Sequence, residues 1–367
     1  MAEMSIPSGP QELTPEWLTR ALRSGGAIKN AAVSSFDVKV IGEGAGFLGQ
    51  LAHVRLHYDR PEEGAPPSLI AKLPAAAQEN KELAQFFRFY EREVRFYDEI
   101  AANVELRTPR LYFSHFDAGS GDFALLLEDL APACVGDQLA GCSGQQVQLA
   151  ITELAKFHAA WWEHPRLAEL DWMPSIDAEW YIEAAEGGYA KAWGAFTEYF
   201  GDRLAPAMRD LGERYGKKIP QLMKSFATAP RTIIHGDYRL DNLFFDASKG
   251  ETSFAVIDWQ ISARARGVFD VAYFLAGTLP SEERKASERD LVRTYHDLLT
   301  EGGVRGYSFD QCWDDYRRSL LFLLNYAVIG IGSLDLANER GVELFETISQ
   351  RTLTAIDELN AGELLPD

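Results

Sequence analysis

The stretch Ile233-Ile234-His235-Gly236-Asp237-Tyr238-Arg239-Leu240-Asp241-Asn242-Leu243 decides the reading of this chain. Two short apolar runs, Thr232 to Ile234 and Leu243 to Phe245, bracket a polar loop, so the pattern predicts strand, loop, strand. The loop carries a carboxylate, Asp237, and a carboxamide, Asn242, five residues apart. Phosphoryl transfer to a hydroxyl uses such a pair. The carboxylate accepts or orients the acceptor's proton, and the amide oxygen of an Asn ligates magnesium without adding a second formal charge. Twenty-one residues after Asp237 comes Asp258, in Val256-Ile257-Asp258-Trp259-Gln260, at the end of the apolar run Phe254 to Ile257. A carboxylate there can chelate the same ion, since magnesium prefers hard oxygen ligands.

Upstream of this loop the chain reads as mostly strand. Residues 35–58 alternate apolar and polar on both sides of a glycine cluster, and Ser68 to Leu73 forms a short apolar run after a proline-rich stretch. Residues 80–102 contain neither Gly nor Pro and place Leu83, Phe86, Phe87, Tyr90, Val94 and Tyr97 at helical intervals, which predicts one amphipathic helix. Runs 110–116 and 122–127 flank a turn at Ala118 to Gly121 and predict a hairpin. An additional short helix is expected near the start, capped by Thr14 before Pro15. After Glu128 helical periodicity dominates, at 147–162, 178–200, 281–301 and from Phe309 onward. No repeat recurs at solenoid periods.

The H-G-D-x-x-x-x-N loop resembles the catalytic signature of the protein-kinase-like superfamily, in particular aminoglycoside phosphotransferases and the related choline and ecdysteroid kinase-like proteins. The resemblance implies Asp237 as catalytic base and Asn242 and Asp258 as magnesium ligands. It sets Asp258-Trp259-Gln260 where protein kinases carry Asp-Phe-Gly. Gly267 and Asp270 match the G-x-x-D-x-A element that follows, with Asp270 bracing the loop. A kinase site also needs phosphate-covering glycines, a phosphate-binding lysine and a glutamate that positions it. Gly44, Gly46 and Gly49 have G-x-G-x-x-G spacing between two expected strands, where absent side chains let backbone N–H groups approach phosphate. By the same resemblance Lys72 is the phosphate-contacting lysine and Glu93 its ion-pair partner, with Glu91 a competitor. Residues 125–130 resemble the inter-lobe hinge, with adenine pairing to main-chain groups near Glu128 and Leu130.

The expected fold class is therefore α+β: a bilobal protein-kinase-like fold with a small five-stranded antiparallel N-lobe carrying one main helix and a larger, mostly helical C-lobe. The expected boundaries are 1–127 for the nucleotide-binding lobe, 128–131 for the hinge and 132–367 for the catalytic and substrate-binding lobe. The implied cofactors are ATP, with GTP as the alternative donor, and Mg2+. The implied reaction moves the terminal phosphate to a hydroxyl of a small, relatively apolar metabolite. An aminoglycoside or macrolide phosphotransferase and a catalytically idle nucleotide-binding scaffold are the two competing readings.

Several residues have plainer explanations. Asp and Asn are common turn formers, a lone GxGxxG is usually only a flexible turn, and His235 and His158 read as packed, bracing histidines. Arg239, Arg264 and Arg266 could reach phosphate or simply decorate acidic loops. The aromatic segment containing Trp172, Trp180, Tyr181, Tyr189, Trp193, Phe196, Tyr199 and Phe200 is explained mainly by core packing, and Tyr326, Asp314 and Asp315 are weaker acceptor-site candidates.

Composition limits the partners. Hydrophobic residues make up 46% and charged residues 25%, as in an ordinary globular protein. Thirty-six Lys and Arg against fifty-five Asp and Glu give a net charge of -19, which repels phosphate backbones and anionic lipid surfaces. Neither a nucleic-acid nor a membrane partner is expected; the partner is a small-molecule alcohol, and the sequence does not set the oligomeric state. Cys134, Cys142 and Cys312 suggest neither a disulfide framework nor a zinc site. Without a secretion-like start or a long apolar run, a cytoplasmic location is expected.

Overall fold

The computed structural model describes residues 5–42, 48–245, 254–332 and 338–366. The chain divides into two compact units, one of residues 1–134 with Ala255–Ile261 and the other of residues 135–254 with 262–367.

The first unit is built on a five-stranded antiparallel sheet of β1 (Val33–Ile41), β2 (Gln50–Tyr58), β3 (Ser68–Leu73), β4 (Leu111–Asp117) and β5 (Asp122–Glu128), in the order β1-β2-β3-β5-β4. Alternation does what it should in β2, which buries Ala52, Val54 and Leu56 on one face. In β5 five consecutive residues, Phe123 to Leu127, are buried, because helices cover both faces there. Helix α1 (Pro15–Ser24) lies on one face, starting where the Thr14 hydroxyl accepts from the Trp17 N–H. It buries Leu18 and Leu22 in one cluster with Val54, Leu69, Ala71 and Leu126. At its end Gly25 passes so close to β4 that a Cβ would lie 1.6 Å from the Tyr112 carbonyl oxygen, so only glycine fits.

The single helix expected over 80–102 is instead two, α2 (Gln78–Phe86) and α3 (Phe89–Glu99). The chain breaks at Arg88, whose φ of +58° is left-handed and costs roughly 1–2 kcal/mol for a non-glycine residue. Local contacts offset that cost. The Phe87 and Phe89 rings stack at 5.2 Å, Arg88 Nε donates to Glu91 at 2.8 Å, and Arg92 Nη2 donates to the Phe87 carbonyl at 2.5 Å. A periodicity count registers none of these, which is why the break is invisible to it. Helix α3 then anchors to the sheet through Tyr90, whose ring lies 4.2 Å from that of Phe123.

The second unit is mostly helical, with α4 (Gly144–Ala160), α5 (Glu179–Phe200), α6 (Pro206–Gly216), α7 (Ile219–Ala227), α8 (Val268–Thr278), α9 (Ser281–Glu301), α10 (Phe309–Gly332) and α11 (Glu339–Glu358). A capping box between Ser143 and Gln146 starts α4. Helix α8 is buried at all but one of its positions, as an almost uniformly apolar sequence requires, and α10 packs beside α5, α8 and α11. Short strands interrupt the helices: β6 (Thr232–Ile234), β7 (Leu243–Phe245), β8 (Phe254–Val256), whose last two residues belong to the first unit, and β9 (Ala263–Ala265). Strand β6 pairs antiparallel with β9, Ile234 opposite Ala263. Among the described residues no helix is long and apolar enough to cross a membrane.

Candidate active site

The loop after β6 is held from below by α8. Gly236 takes a φ of +86°, which a side chain would resist, and this turn aims two successive N–H groups at Asp270 in the first turn of α8. His235 N–H donates to Asp270 Oδ2 at 2.7 Å and Gly236 N–H to Oδ1 at 2.9 Å. His158 Nε2 lies 3.3 Å from Asp270 Oδ2, and its other ring nitrogen is 2.8 Å from the Tyr295 hydroxyl. Asp270 and His158 are fully buried. Gly267 sits in the same knot, where a Cβ would come within 2.6 Å of the Tyr295 hydroxyl and 2.7 Å of the His158 ring. From the other side the loop is braced by Gln138, whose carbonyl accepts from Leu240 N–H at 2.8 Å and whose amide nitrogen reaches Thr278 at 3.2 Å.

Four donor bonds fix the Asp237 carboxylate. The Tyr273 hydroxyl donates to Oδ1 at 2.7 Å, Arg239 Nε lies 3.1 and 3.2 Å from the two oxygens, and Asn242 Nδ2 donates to Oδ2 at 2.9 Å. Asn242 Nδ2 also donates to the Asp237 carbonyl at 2.9 Å, so the nitrogen end of its amide is committed to Asp237, while its oxygen end has no hydrogen-bond partner among the described residues. Burial disfavours the charge on Arg239, yet Asp237, Tyr273 and Asp241 together outweigh it and hold the guanidinium firmly protonated. The same guanidinium also pairs with Asp241. Burial, then the nearby Asp237 charge, pushes the Tyr273 phenol well above its ordinary range, so it stays a donor.

A second cluster lies wholly within the first unit. Lys72, on the central strand β3, places Nζ 2.8 and 2.6 Å from the Glu93 carboxylate oxygens and 2.9 Å from Asp258 Oδ1. Glu93 belongs to α3, and the competing Glu91 pairs with Arg88 instead. Asp258 sits at a φ of +67°, a left-handed conformation that Asp tolerates better than most residues. Its neighbour Trp259 fixes the turn by stacking on Phe96 of α3 at 3.8 Å. Burial opposes charge on Lys72, but Asp258 and then Glu93 more than restore it and the ammonium is held protonated. Burial dominates for Glu93, and with Lys72 shared its carboxyl is pushed up to about 7. One cation serves two carboxylates, so the one with less solvent is the one inclined to keep a proton.

The other expected positions fall as follows. Gly44 and Gly46 lie outside the described residues. Gly49 backs onto β3, with a Cβ 3.2 Å from the Leu73 carbonyl oxygen. Glu128 ends β5, its carboxylate bonded to Arg107 at 2.9 Å and to the Arg110 N–H at 3.1 Å, and its own N–H engaged by the Arg110 carbonyl. Leu130 is buried and its carbonyl accepts from Ala133. Arg266 and Asp315 pair with each other, and Arg264 Nη1 donates to the Leu167 carbonyl, so these are structural ties. Trp172, Tyr189, Phe196 and Phe200 are core residues. Two members of the site escape motif reasoning: Tyr273, three residues after Asp270 on α8 and thus on the same helical face, and Gln138, which no pattern marks. Among the described residues no group of three or more His, Cys, Asp and Glu side chains forms a cage for a metal. A magnesium ion held by one or two side-chain oxygens and by phosphates needs no such cage, and the Asp258 carboxylate in the first unit and the Asn242 amide in the second are each oxygen donors of a kind magnesium takes.

A five-stranded antiparallel sheet with its lysine–glutamate pair, joined in one chain to a helical unit bearing H-G-D-x-x-x-x-N, defines the protein-kinase-like class. More particularly, the chain belongs to the ecdysteroid kinase-like family, whose model matches residues 43–303. Among solved structures it is similar to a choline kinase from Cryptosporidium parvum, with a TM-score of 0.57 and 12% identity over 96% of this chain and 98% of that one. It is also similar to a Plasmodium vivax ethanolamine kinase, with a TM-score of 0.53 and 13% identity over 90% and 85%. A variant of aminoglycoside 2'-phosphotransferase-IIIa in complex with GDP gives a TM-score of 0.53 at 14% identity over 92% and 98%. These likenesses speak for the fold. Sequence relatives include mouse acyl-CoA dehydrogenase family member 10, 40% identical over 77 residues, and the Arabidopsis thaliana probable acyl-CoA dehydrogenase IBR3, 37% identical over 68 residues. Those matches cover 21% and 18% of this chain and only 6% and 8% of the relatives.

Proposed function

We propose that this chain is a small-molecule kinase that moves the terminal phosphate of ATP, with GTP as the alternative donor, to a hydroxyl of a small, relatively apolar alcohol. The observation that carries this reading is the fixed Asp237 carboxylate, pinned by Tyr273, Arg239 and Asn242 beside an amide oxygen that has no partner among the described residues. In the reaction Asp237 orients the acceptor hydroxyl and takes its proton. Asn242 and Asp258 supply oxygens to magnesium, which neutralises charge on the phosphates when bound. Lys72, oriented by Glu93, is the phosphate-binding cation, and the segment Gly44 to Gly49 covers the phosphates. The barrier falls by positioning and charge stabilisation, so no covalent enzyme intermediate is required.

Family membership and the kinase-like fold support this reading. The retained set also argues against an idle scaffold, because Lys72, Glu93, Asp237, Asn242 and Asp258 are all present. The test is transfer from labelled ATP across a chemically diverse alcohol panel that includes amino sugars and macrolides. Asp237→Ala is expected to lower turnover by about two or more orders of magnitude while leaving nucleotide affinity nearly unchanged. Near-normal turnover in that variant removes the assigned role.

A further inference from the structure

Strand β1 is an edge of the five-stranded sheet, paired with β2 on one side and, among the described residues, with no strand on the other. From Ser35 to Ile41 its register with β2 is unbroken, and neither proline nor glycine interrupts Val33–Ile41. Every residue from Asp37 to Val40 is exposed, so the outer row of N–H and C=O groups is open to a further strand. Its two faces differ. Phe36, Val38 and Val40 stand opposite Leu56, Val54 and Ala52, which are buried in the cluster that α1 completes. Phe36 packs against that cluster, whereas Val38 and Val40 remain 44% and 46% exposed. Asp37 and Lys39, opposite Arg55 and His53, occupy the other face. Asp37 meets the exposed His57 ring at 3.0 Å, a contact worth little at the surface.

We propose that a second copy of this chain adds its own β1 at this edge, antiparallel and centred on Val38, so that the two sheets join into one. The strand is self-complementary in that register. Val38 faces the partner's Val38, Phe36 faces the partner's Val40, and Asp37 faces the partner's Lys39, with each pair repeated across the two-fold axis. Sliding the partner by two residues is the smallest step that keeps every side chain on its face. One such step sets Asp37 against the partner's Asp37, and the opposite step sets Lys39 against the partner's Lys39. Opposite charges directly across a strand pair are favourable and like charges are not, so one register is selected. A lysine on an edge strand ordinarily guards against pairing, but Asp37 on the same face gives Lys39 a match in this arrangement. On the other face the exposed valines of both copies cover one another between the two Phe36 rings. One strand from each copy makes a small interface, so association is weak and depends on concentration. The net charge of -19 on each copy opposes it at long range, and salt screens that repulsion.

The test is sedimentation equilibrium of the full chain from low micromolar to near-millimolar concentration, at an ionic strength of about 0.15 M where the screening length is about 8 Å. Wild type should move from 41.0 kDa toward twice that mass. Asp37→Lys and Lys39→Asp each set like charges opposite one another at two places, and each should weaken dimerisation about tenfold or more. An equimolar mixture of these two variants sets lysines against aspartates again and should dimerise like wild type. The double exchange, Asp37→Lys with Lys39→Asp in one chain, should do the same. Both positions are exposed, so thermal midpoints should match wild type in all of these proteins. A wild type that stays monomeric throughout overturns the proposal. Single variants that dimerise like wild type also overturn it, since the interface would then lie elsewhere. A mixture or a double exchange that stays monomeric overturns it too, because the strands would not meet in the register described.

Discussion

Removing the Asp270 carboxylate tests whether the H-G-D loop is held by α8 as the structure describes. In Asp270→Ala the N–H groups of His235 and Gly236, both buried, lose their acceptors at once. Each buried donor left unpaired costs about 1–3 kcal/mol, so the loss is about 2–6 kcal/mol, before counting His158, which also faces this carboxylate. For a body the size of the second unit, ~1 kcal/mol moves a thermal midpoint by about 2–4 °C, so the fall should be about 4 °C at the least. Calorimetry is the proper assay, because a chain of two units need not unfold in one step and the transition of the second unit must be followed by itself. Asp270→Asn should fall between, since its remaining oxygen can serve one N–H while its NH2 group faces the other. A midpoint within about 2 °C of wild type for the alanine variant would refute the reasoning, because it would mean the two donors have another acceptor.

Tyr273→Phe removes one charge-directed hydrogen bond from Asp237 and keeps the ring. It should lower kcat about tenfold or more, by the usual 1.5–3 kcal/mol for such bonds, with KM for magnesium–ATP nearly unchanged; an equal rise in that KM would mark a general loss of structure instead. Glu93 is pushed up to about 7 by burial, from an ordinary value of 4.5. The folded state thus holds a proton that the unfolded chain releases, so its contribution to stability is complete below pH 4.5 and is lost as pH rises through about 7. Relative to Glu93→Gln, wild type should lose thermal stability between pH 5 and pH 7.5, and parallel profiles for the two proteins would contradict the assignment.

The strands and most helices could be read from the sequence because their cause is local. Alternation in β2, the continuous apolar run of β5 and the Thr14 cap of α1 are each written within a few neighbouring residues. The break at Arg88 could not be read that way, since the left-handed residue is held by side-chain bonds that happen to form around it. The same division runs through the site. Asp237 and Asn242 belong to one motif and Asp270 to the G-x-x-D-x-A element that follows it, and the resemblance that names them also pairs Lys72 with Glu93, two side chains that do meet. Gln138 contacts Leu240 and Asp241 across more than a hundred residues of chain, and no spacing rule connects them.

Tyr273 lies between these cases, and it shows what the motif leaves out. The G-x-x-D element requires Asp270 for the loop, and α8 then carries the next side chain on that face, three residues on, directly to Asp237. One turn of helix therefore fixes both the backbone of the H-G-D loop, through Asp270, and the carboxylate proposed to do its chemistry, through Tyr273. The tyrosine ring also walls a small cavity toward α10 and α11, so a substitution there that shifts the ring also shifts the hydroxyl that orients Asp237. Ala327→Phe, which crowds that ring from α10, should consequently lower kcat, and a kcat equal to wild type would show that the packing behind Tyr273 does not set the place of Asp237.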